Sequence, residues 1–273
     1  SRGLGDVYKR QAYYKWLQQG RWSWVKLGQQ MTRLVVTFFR QPVCYLIIDD
    51  TVIFRSSSKA PDSAIHHLHG TRANRPRFVR GQCWVNLAFS LCRGDRSVAI
   101  PLLARLMRVG GNTSKLTAAK VLLRVVAPIL DNRKVVVLLD SWYMRRTLIC
   151  FLRKLNFQVI GQVRKDTALY ELPPARTGRR GRPRIYGDKY TPDKVAALPE
   201  QRELVMLYGK EQWVRYRSIV CLARFLHARM VRAVWVQLED KDGTLTRQRL
   251  LLSTCSDMTP RKVIVSYARR WPI

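Results

Sequence analysis

The carboxylate side chains of this sequence are scarce, and their positions indicate a metal-binding role. Between Ala12 and Lys165 there are six aspartates and no glutamate. Asp49 and Asp50 interrupt the apolar run "VCYLIIDDTVIF", and Asp140 ends the run "KVVVLLD". A carboxylate beside a buried strand is costly unless it is hydrogen-bonded, paired or bound to a metal. If the two strands are neighbours in one sheet, Asp50 and Asp140 reach the same divalent cation, and their hard oxygen ligands suit Mg²⁺ or Mn²⁺.

Each of these acids also has a simpler interpretation that the sequence leaves open. Asp140, followed by Ser141, could cap the helix that comes next. Asp49 and Asp50 could form the turn of a hairpin. If they lie in one strand instead, they face opposite ways, and only one of them points into a shared site.

A strong excess of positive charge predicts a polyanionic partner. Lys and Arg number 50 against 18 Asp and Glu, which gives a formal net charge of +32 over 273 residues. Nucleic acid fits this excess best, because each contact with a phosphate releases condensed counterions. A membrane partner is disfavoured, since Arg124 and Asp140 interrupt the apolar runs before either reaches the roughly 18 residues that a span needs.

The cysteines and the glycines exclude several classes of site. The six cysteines are scattered and form no C-x-x-C pair, which argues against a zinc ribbon and a disulfide framework and favours a reducing compartment. No glycine-rich phosphate loop is present, so no nucleotide cofactor is expected.

The order of the expected elements indicates a mixed α/β fold. Three strand-like runs, a helix, a strand, a helix and a strand follow one another from Val43 to Val163. This order is typical of a ribonuclease-H-like mixed sheet flanked by helices, here with an inserted β-rich subdomain. At the end of the chain, Thr259 and Pro260 are the N-cap and first residue of another helix. We predict five segments: 1–11, an adaptor-like segment foreign to the fold; 12–42, a helical remnant of an N-terminal region; 43–165, the core; 166–258, the β-rich insertion; and 259–273, the start of a core helix.

Four stretches resemble the DDE transposases of bacterial insertion sequences, in the branch with a β-rich insertion before the third acid. The stretches are "LIIDDTVIF", "KAPDSAIHHLHGTRANRPRFVRGQCWVNLAFSL", "VVVLLDSWY" and "YARRWPI". The resemblance implies a ribonuclease-H-like core in which two aspartates and a glutamate hold two Mg²⁺ or Mn²⁺ ions. The matching aspartates are Asp50 and Asp140. The family's third acid follows the Y-x-x-R-W-x-I string, so it is expected directly after Ile273, and the chain is expected to be truncated at both ends.

No glutamate of this chain is expected to replace the third acid, because all of them lie in the insertion. They are Glu171, Glu200, Glu203, Glu211 and Glu239. This fragment is therefore expected to be inactive by itself.

The activity implied is metal-dependent cleavage of DNA at transposon ends, followed by strand transfer into a target. A homodimer is expected in the DNA complex, because a transposon has two ends, and the location is expected to be the bacterial cytoplasm at the nucleoid. One alternative is a decayed or domesticated DNA-binding protein without catalysis. Another is a plain ribonuclease-H-like nuclease, which the β-rich insertion and the large positive charge disfavour.

Three groups of residues are candidates for DNA contacts. By resemblance, Tyr267, Arg270 and Trp271 touch the transposon end; alternatively Tyr267 and Trp271 are core residues and Arg270 is a surface cation. The second group lies in a loop after Asp62 and the third in "GRRGRPR", which resembles a minor-groove hook or is simply a solvated basic loop. These arginines are Arg72, Arg75 and Arg77 in the loop, and Arg179, Arg180, Arg182 and Arg184 in the hook.

Two further sets of residues have a functional and a structural interpretation. His66, His67 and His69 could suggest a metal site, but no nearby cysteine or acid completes a ligand set. These loop residues are expected instead to line the DNA channel with Arg72, Arg75, Arg77 and Arg80. Trp213 and Trp235 could stack on an unpaired base. Packing within the core of the strands is the favoured interpretation of both tryptophans.

Overall fold

The structure, a computed structural model, describes residues 4–21, 23–68, 76–93, 96–111, 113–175, 183–240 and 242–270. The helices are α1 (Leu4–Gln19), α2 (Trp24–Phe38), α3 (Lys115–Val126), α4 (Arg146–Lys154), α5 (Pro192–Ala196) and α6 (Pro260–Ala268). The strands are β1 (Cys44–Phe54), β2 (Ala64–His67), β3 (Phe78–Arg93), β4 (Arg96–Leu106), β5 (Val135–Leu139), β6 (Gln158–Val163), β7 (Leu169–Tyr170), β8 (Gln201–Leu207), β9 (Lys210–Ala223), β10 (Arg229–Glu239) and β11 (Arg249–Ser253).

Five strands form the first part of the sheet, in the spatial order β4, β3, β1, β5, β6, and the short strand β2 pairs with the start of β3. The first three are antiparallel, whereas β1, β5 and β6 are mutually parallel. The helices α3 and α4 make the connections into β5 and β6, because parallel neighbours need a crossover. This mixed sheet flanked by helices confirms the predicted ribonuclease-H-like fold class.

The β-rich region continues the same sheet. Strand β11 pairs antiparallel with β6, β10 pairs with β11 and β9 pairs with β10. Strands β7 and β8 both pair with β9. The region predicted as an insertion therefore lengthens the core sheet to eleven strands. Its boundaries at 166 and 258 stay predictions.

Alternation along β1 gives the sheet two apolar faces. Leu46 and Ile48 pack in a core with α2, α3 and α4, and we call this side the α3 face. Tyr45 and Ile47 point the other way and pack with Val263 of α6, on what we call the α6 face. The Thr259 side chain caps α6 by accepting a hydrogen bond from the Lys262 N–H, as predicted.

Several local expectations are corrected by the structure. Strand β1 is continuous through Asp49 and Asp50, so the hairpin-turn interpretation is wrong. The helix after Asp140 begins only at Arg146, so Asp140 is not at its N-cap position. His66 and His67 lie in β2, not in a loop.

Three further observations concern the first helix, the cysteines and the length of the helices. Helix α1 begins at Leu4, within the segment 1–11 whose foreign origin stays a prediction. All six cysteines are free thiols. Among the described residues, no helix combines the length and the apolar content that crossing a membrane requires.

Candidate metal centre

Three aspartates meet where the carboxyl end of β5 lies beside the middle of β1. Ile47 is aligned with Leu138 in the parallel register. Continuing that register by two residues sets Asp49 level with Asp140, with Asp50 one position further along β1. The two strands are direct neighbours in the sheet, as the metal-site hypothesis required.

Asp49 lies on the α6 face and is paired with an arginine from the end of α6. The Arg270 Nη2 atom lies 2.8 Å from Asp49 Oδ2 and 3.8 Å from Asp140 Oδ2. Arg270 is only 4% exposed, so its charge is held inside the protein between two carboxylates. Burial raises the pKa of Asp49, Arg270 opposes that rise, and the charges of Asp140 and Asp50 add to it.

Asp50 lies on the α3 face and has different partners. Lys115 Nζ, at the start of α3, lies 2.7 Å from Asp50 Oδ2, and the Tyr143 hydroxyl donates to Asp50 Oδ1 at 3.1 Å. The Lys115 ammonium also stands 5.3 Å from the centre of the Trp142 ring. Burial lowers the pKa of Lys115, but the hydrogen bond and the charge of Asp50 outweigh it, so the pKa is raised.

Tyr143 connects the two sides of this cluster. Burial raises the pKa of its phenol far above the usual value, and the neighbouring charges of Asp50, Asp140 and Asp49 raise it further. The phenol therefore stays protonated and acts as a hydrogen-bond donor. Its backbone N–H also donates to Asp140 Oδ1 at 2.9 Å, so one residue positions both Asp50 and Asp140.

Asp140 uses its two carboxylate oxygens differently. Oδ1 accepts hydrogen bonds from the N–H groups of Trp142 at 3.0 Å and Tyr143 at 2.9 Å, which closes the turn after β5. The N-cap position of α4 is Arg145, whose side chain makes no capping bond. Asp140 thus stabilises the turn rather than capping α4, and its Oδ2 is directed toward Arg270.

The cluster offers hard oxygen ligands, which are the donors that Mg²⁺ and Mn²⁺ prefer. Within the part of the chain that the structure describes, no group of three or more His, Cys, Asp or Glu side chains is arranged to hold a metal ion. Lys115 and Arg270 neutralise the aspartates instead. The aspartates fit a divalent ion by their chemistry, but the described residues supply only part of a ligand set.

The glutamates are engaged away from this cluster. Glu171 pairs with Lys194, Glu200 with Arg215 and Arg217, and Glu239 with Arg202 and Arg215, while Glu203 accepts a hydrogen bond from Tyr216; Glu211 is exposed. This agrees with the expectation that none of the five replaces the third acid.

Two of the residues expected at a transposon end, Tyr267 and Arg270, are buried. Tyr267 is 4% exposed and belongs to the core under α6, where burial raises its pKa to about 12. The surface-cation interpretation of Arg270 is wrong, because this side chain is buried against Asp49. A contact of either residue with DNA stays a prediction.

The basic loops fall largely outside the described residues. Arg77 and Arg184 are described, and both are exposed. Outside the described residues lie Trp271, Arg72, Arg75, Arg179, Arg180, Arg182 and His69.

The tryptophan and histidine candidates differ in whether they lie in the core or at the surface. Trp235 is 6% exposed and packs in the core, as favoured. Trp213 is 39% exposed and lies under the Arg202 guanidinium at 4.0 Å, so core packing is wrong for this residue. His66 Nε2 lies 3.1 Å from the Gly81 carbonyl oxygen, and the His67 ring contacts Phe78.

Sequence reasoning missed the partners of the aspartates. Lys115 and Tyr143 were not singled out, although Tyr143 stands in "LDSWY" three residues after Asp140. A signal for Arg270 was available, since Val263, Tyr267 and Arg270 share one helical stripe. A cation on an apolar stripe indicates a buried carboxylate partner.

Comparison with known proteins gives a family match and matches among solved structures. Residues 4–218 match the family described as DDE superfamily endonuclease. No curated protein matches the chain. Among solved structures, the NurA nuclease from Sulfolobus solfataricus aligns with 100% of this chain and 86% of its own at 9% identity and a TM-score of 0.30, and we draw nothing further from so low a score.

The assignment of Asp50 and Asp140 as site residues stays a prediction. The family match covers most of the chain, including both aspartate-bearing strands and the turn after β5. The chain therefore belongs to the DDE superfamily endonucleases.

Proposed function

We propose that the chain is the core of a DNA transposase that cleaves the ends of a mobile element and joins them to target DNA. The observation that carries this proposal is that Tyr143 holds both acids: its hydroxyl donates to Asp50 Oδ1 at 3.1 Å, and its backbone N–H donates to Asp140 Oδ1 at 2.9 Å. Membership of the DDE superfamily endonucleases supports DNA as the substrate. The four stretches that resemble bacterial insertion-sequence transposases support the narrower activity.

Asp50 and Asp140 are the proposed ligands of Mg²⁺ or Mn²⁺. When bound, a pair of such ions activates the attacking hydroxyl and stabilises the departing oxygen in an in-line displacement at phosphorus. Asp140 Oδ1 already accepts two N–H groups, which leaves Oδ2 as the oxygen that faces the site. The third ligand of this proposal is a glutamate directly after Ile273, as the resemblance implies.

The neighbouring side chains have proposed roles of their own. The Tyr143 hydroxyl donates to Asp50 and orients its carboxylate, and the raised pKa of the phenol makes it unsuited to accept a proton. Lys115 and Arg270 balance the aspartates in the chain as it stands. Lys115, which is 33% exposed, is the cation proposed to contact a phosphate, whereas the buried Arg270 is proposed to position Asp49 and Asp140.

A DNA-binding protein without catalysis is the second candidate. It is favoured by one observation: the described residues contain no group of three metal-ligating side chains. The two candidates differ in whether a glutamate completes the site.

Nicking of a supercoiled plasmid with Mg²⁺ or Mn²⁺ tests the proposal. We compare the chain, the chain with a glutamate appended directly after Ile273, and the chain with a glutamine appended there. Only the glutamate form is expected to nick DNA. In that form Asp140→Asn should abolish nicking and leave DNA binding intact, whereas Asp131→Asn, at an exposed turn, should change neither.

Nicking by the Asp140→Asn variant at the normal rate would contradict the assignment. The absence of nicking from the glutamate form would favour the non-catalytic candidate. Joining separates a transposase from a plain nuclease: with labelled DNA from the flanks of the gene, a transposase transfers the label into the plasmid, whereas a nuclease releases fragments only.

A further inference from the structure

A basic groove begins at the residue after Asp140 and runs along the carboxyl edge of the sheet. It has a volume of about 680 Å³ and lies between the turn before α4 and the segment after β6. Ser141 lies at one end of it, directly after the second aspartate of the metal centre. A second cavity of about 600 Å³ also has Asp166 and Thr167 in its lining, so the two cavities adjoin.

The charge of this groove is almost entirely positive. Its lining contains Arg145, Arg146, Arg164 and Arg224, all of them exposed, against the single carboxylate of Asp166. Asp166 holds Arg164 through two bonds, of 3.0 Å and 2.8 Å, and so neutralises it.

The other three arginines are unneutralised. Arg145, Arg146 and Arg224 make no ion pair with any carboxylate that the structure describes. Arg145 donates from Nε to the Trp142 carbonyl at 3.3 Å, which ties this side chain to the turn that Asp140 closes. Three exposed guanidinium groups around one groove repel one another, and their arrangement is stabilised by an anionic ligand with several charges.

We infer that this groove, lined by Arg145, Arg146 and Arg224, binds the phosphate backbone of DNA next to the cleavage site. The inference rests on the proposed function for the identity of the polyanion, and on the groove's own charge for its position. Guanidinium groups suit phosphates because they present paired N–H donors. The carboxyl ends of parallel strands are also where open α/β sheets bind ligands.

Binding of a fluorescent DNA duplex in EDTA tests the groove without any cleavage. Each arginine that contacts a phosphate should contribute about 0.9 to the slope of log K against log salt. The triple variant Arg145→Gln, Arg146→Gln, Arg224→Gln should therefore bind more weakly and lose roughly 2 to 3 from that slope, measured between about 50 and 200 mM salt. The change Asp166→Asn should strengthen binding, because it frees Arg164.

Arg33→Gln is the matched control. Arg33 is exposed on α2, which packs against α3 and β4, and it does not line the groove. An unchanged slope in the triple variant, or a loss from Arg33→Gln as large as the loss expected for each groove arginine, about 0.9, would overturn the inference. Either result would concern only DNA binding in the groove and not cleavage. A failure of the chain to cleave DNA would likewise not argue against DNA binding in the groove.

Arginine footprinting tests the same inference without substitutions. The unaltered chain is treated with phenylglyoxal with and without DNA, and modified peptides are identified by mass spectrometry. DNA should protect Arg145, Arg146 and Arg224 and leave Arg33 reactive. Full reactivity of the three groove arginines in saturating DNA would contradict the proposal.

Discussion

Asp49 and Asp50 are adjacent in the chain but sit in two different environments. On the α6 face, Asp49 pairs with Arg270, a cation that is 4% exposed and also approaches Asp140. On the α3 face, Asp50 pairs with Lys115, which is 33% exposed, and accepts a second hydrogen bond from Tyr143. On the α6 face a single buried cation thus neutralises Asp49, whereas on the α3 face Lys115 and Tyr143 both stabilise the Asp50 carboxylate. We expect loss of a partner to cost more on the α6 face.

Removal of Arg270 should have the largest effect. In Arg270→Gln, Asp49 loses its cation and the charges of Asp49 and Asp140 repel each other. We expect a loss of about 2–3 kcal/mol in the free energy of unfolding, below the range for a fully buried pair because the Asp49 side chain is 36% exposed. Urea denaturation measures it, and Arg270→Lys, which keeps the charge, should recover part of the loss.

Removal of the Tyr143 hydroxyl should have an intermediate effect. Tyr143→Phe keeps the ring in the core but takes one hydrogen bond from Asp50, which still has Lys115. We expect a loss of about 1.5 kcal/mol, typical of a hydrogen bond to a charged group. Tyr45→Phe is a matched control, because the Tyr45 hydroxyl bonds the neutral Ser266 side chain and should cost less.

Removal of Lys115 should cost less than either. Lys115→Met keeps the side-chain stem, and Asp50 keeps its Tyr143 hydrogen bond while solvent screens part of its charge. We expect a loss of about 1 kcal/mol by urea denaturation. A loss in the free energy of unfolding equal to that of Arg270→Gln would contradict the difference expected between the two faces.

The pH dependence of stability should show the smallest effect. Burial raises the pKa of Asp49 above its ordinary value of 3.8, so the folded state binds a proton more tightly than the unfolded chain does. Relative to Asp49→Asn, the stability of the unaltered chain should therefore fall as pH rises from about 3.8 through the raised pKa, and then level off. Urea denaturation across this range measures it. Parallel curves for the two proteins would contradict the account.

The main elements of the fold could be predicted from sequence because local signals mark them. The apolar runs predicted β1 and β5, and Thr259 with Pro260 predicted the start of α6. The sequence also indicated a pair of acids within the first of these strands and a single acid directly after the second. These features depend on residues close together in the chain.

The partners of the acids could not be predicted, because they depend on which helix covers which face of the sheet. Arg270 and Asp49 are far apart in sequence, and only the packing of α6 brings them together. The same holds for Lys115, which reaches Asp50 because α3 covers the opposite face. Side-chain alternation placed Asp49 and Asp50 on opposite faces but could not say that each face supplies its own cation.

Mapping of the bound metal tests the central claim most directly. Iron(II), used in place of Mg²⁺ with ascorbate and peroxide, cuts the backbone near the ion. The account predicts cuts in β1 near Asp50, in the turn after Asp140 and at the end of α6, and predicts that Asp140→Asn removes them. Cuts elsewhere in the chain, or a pattern that Asp140→Asn leaves unchanged, would contradict a metal centre formed by Asp50 and Asp140.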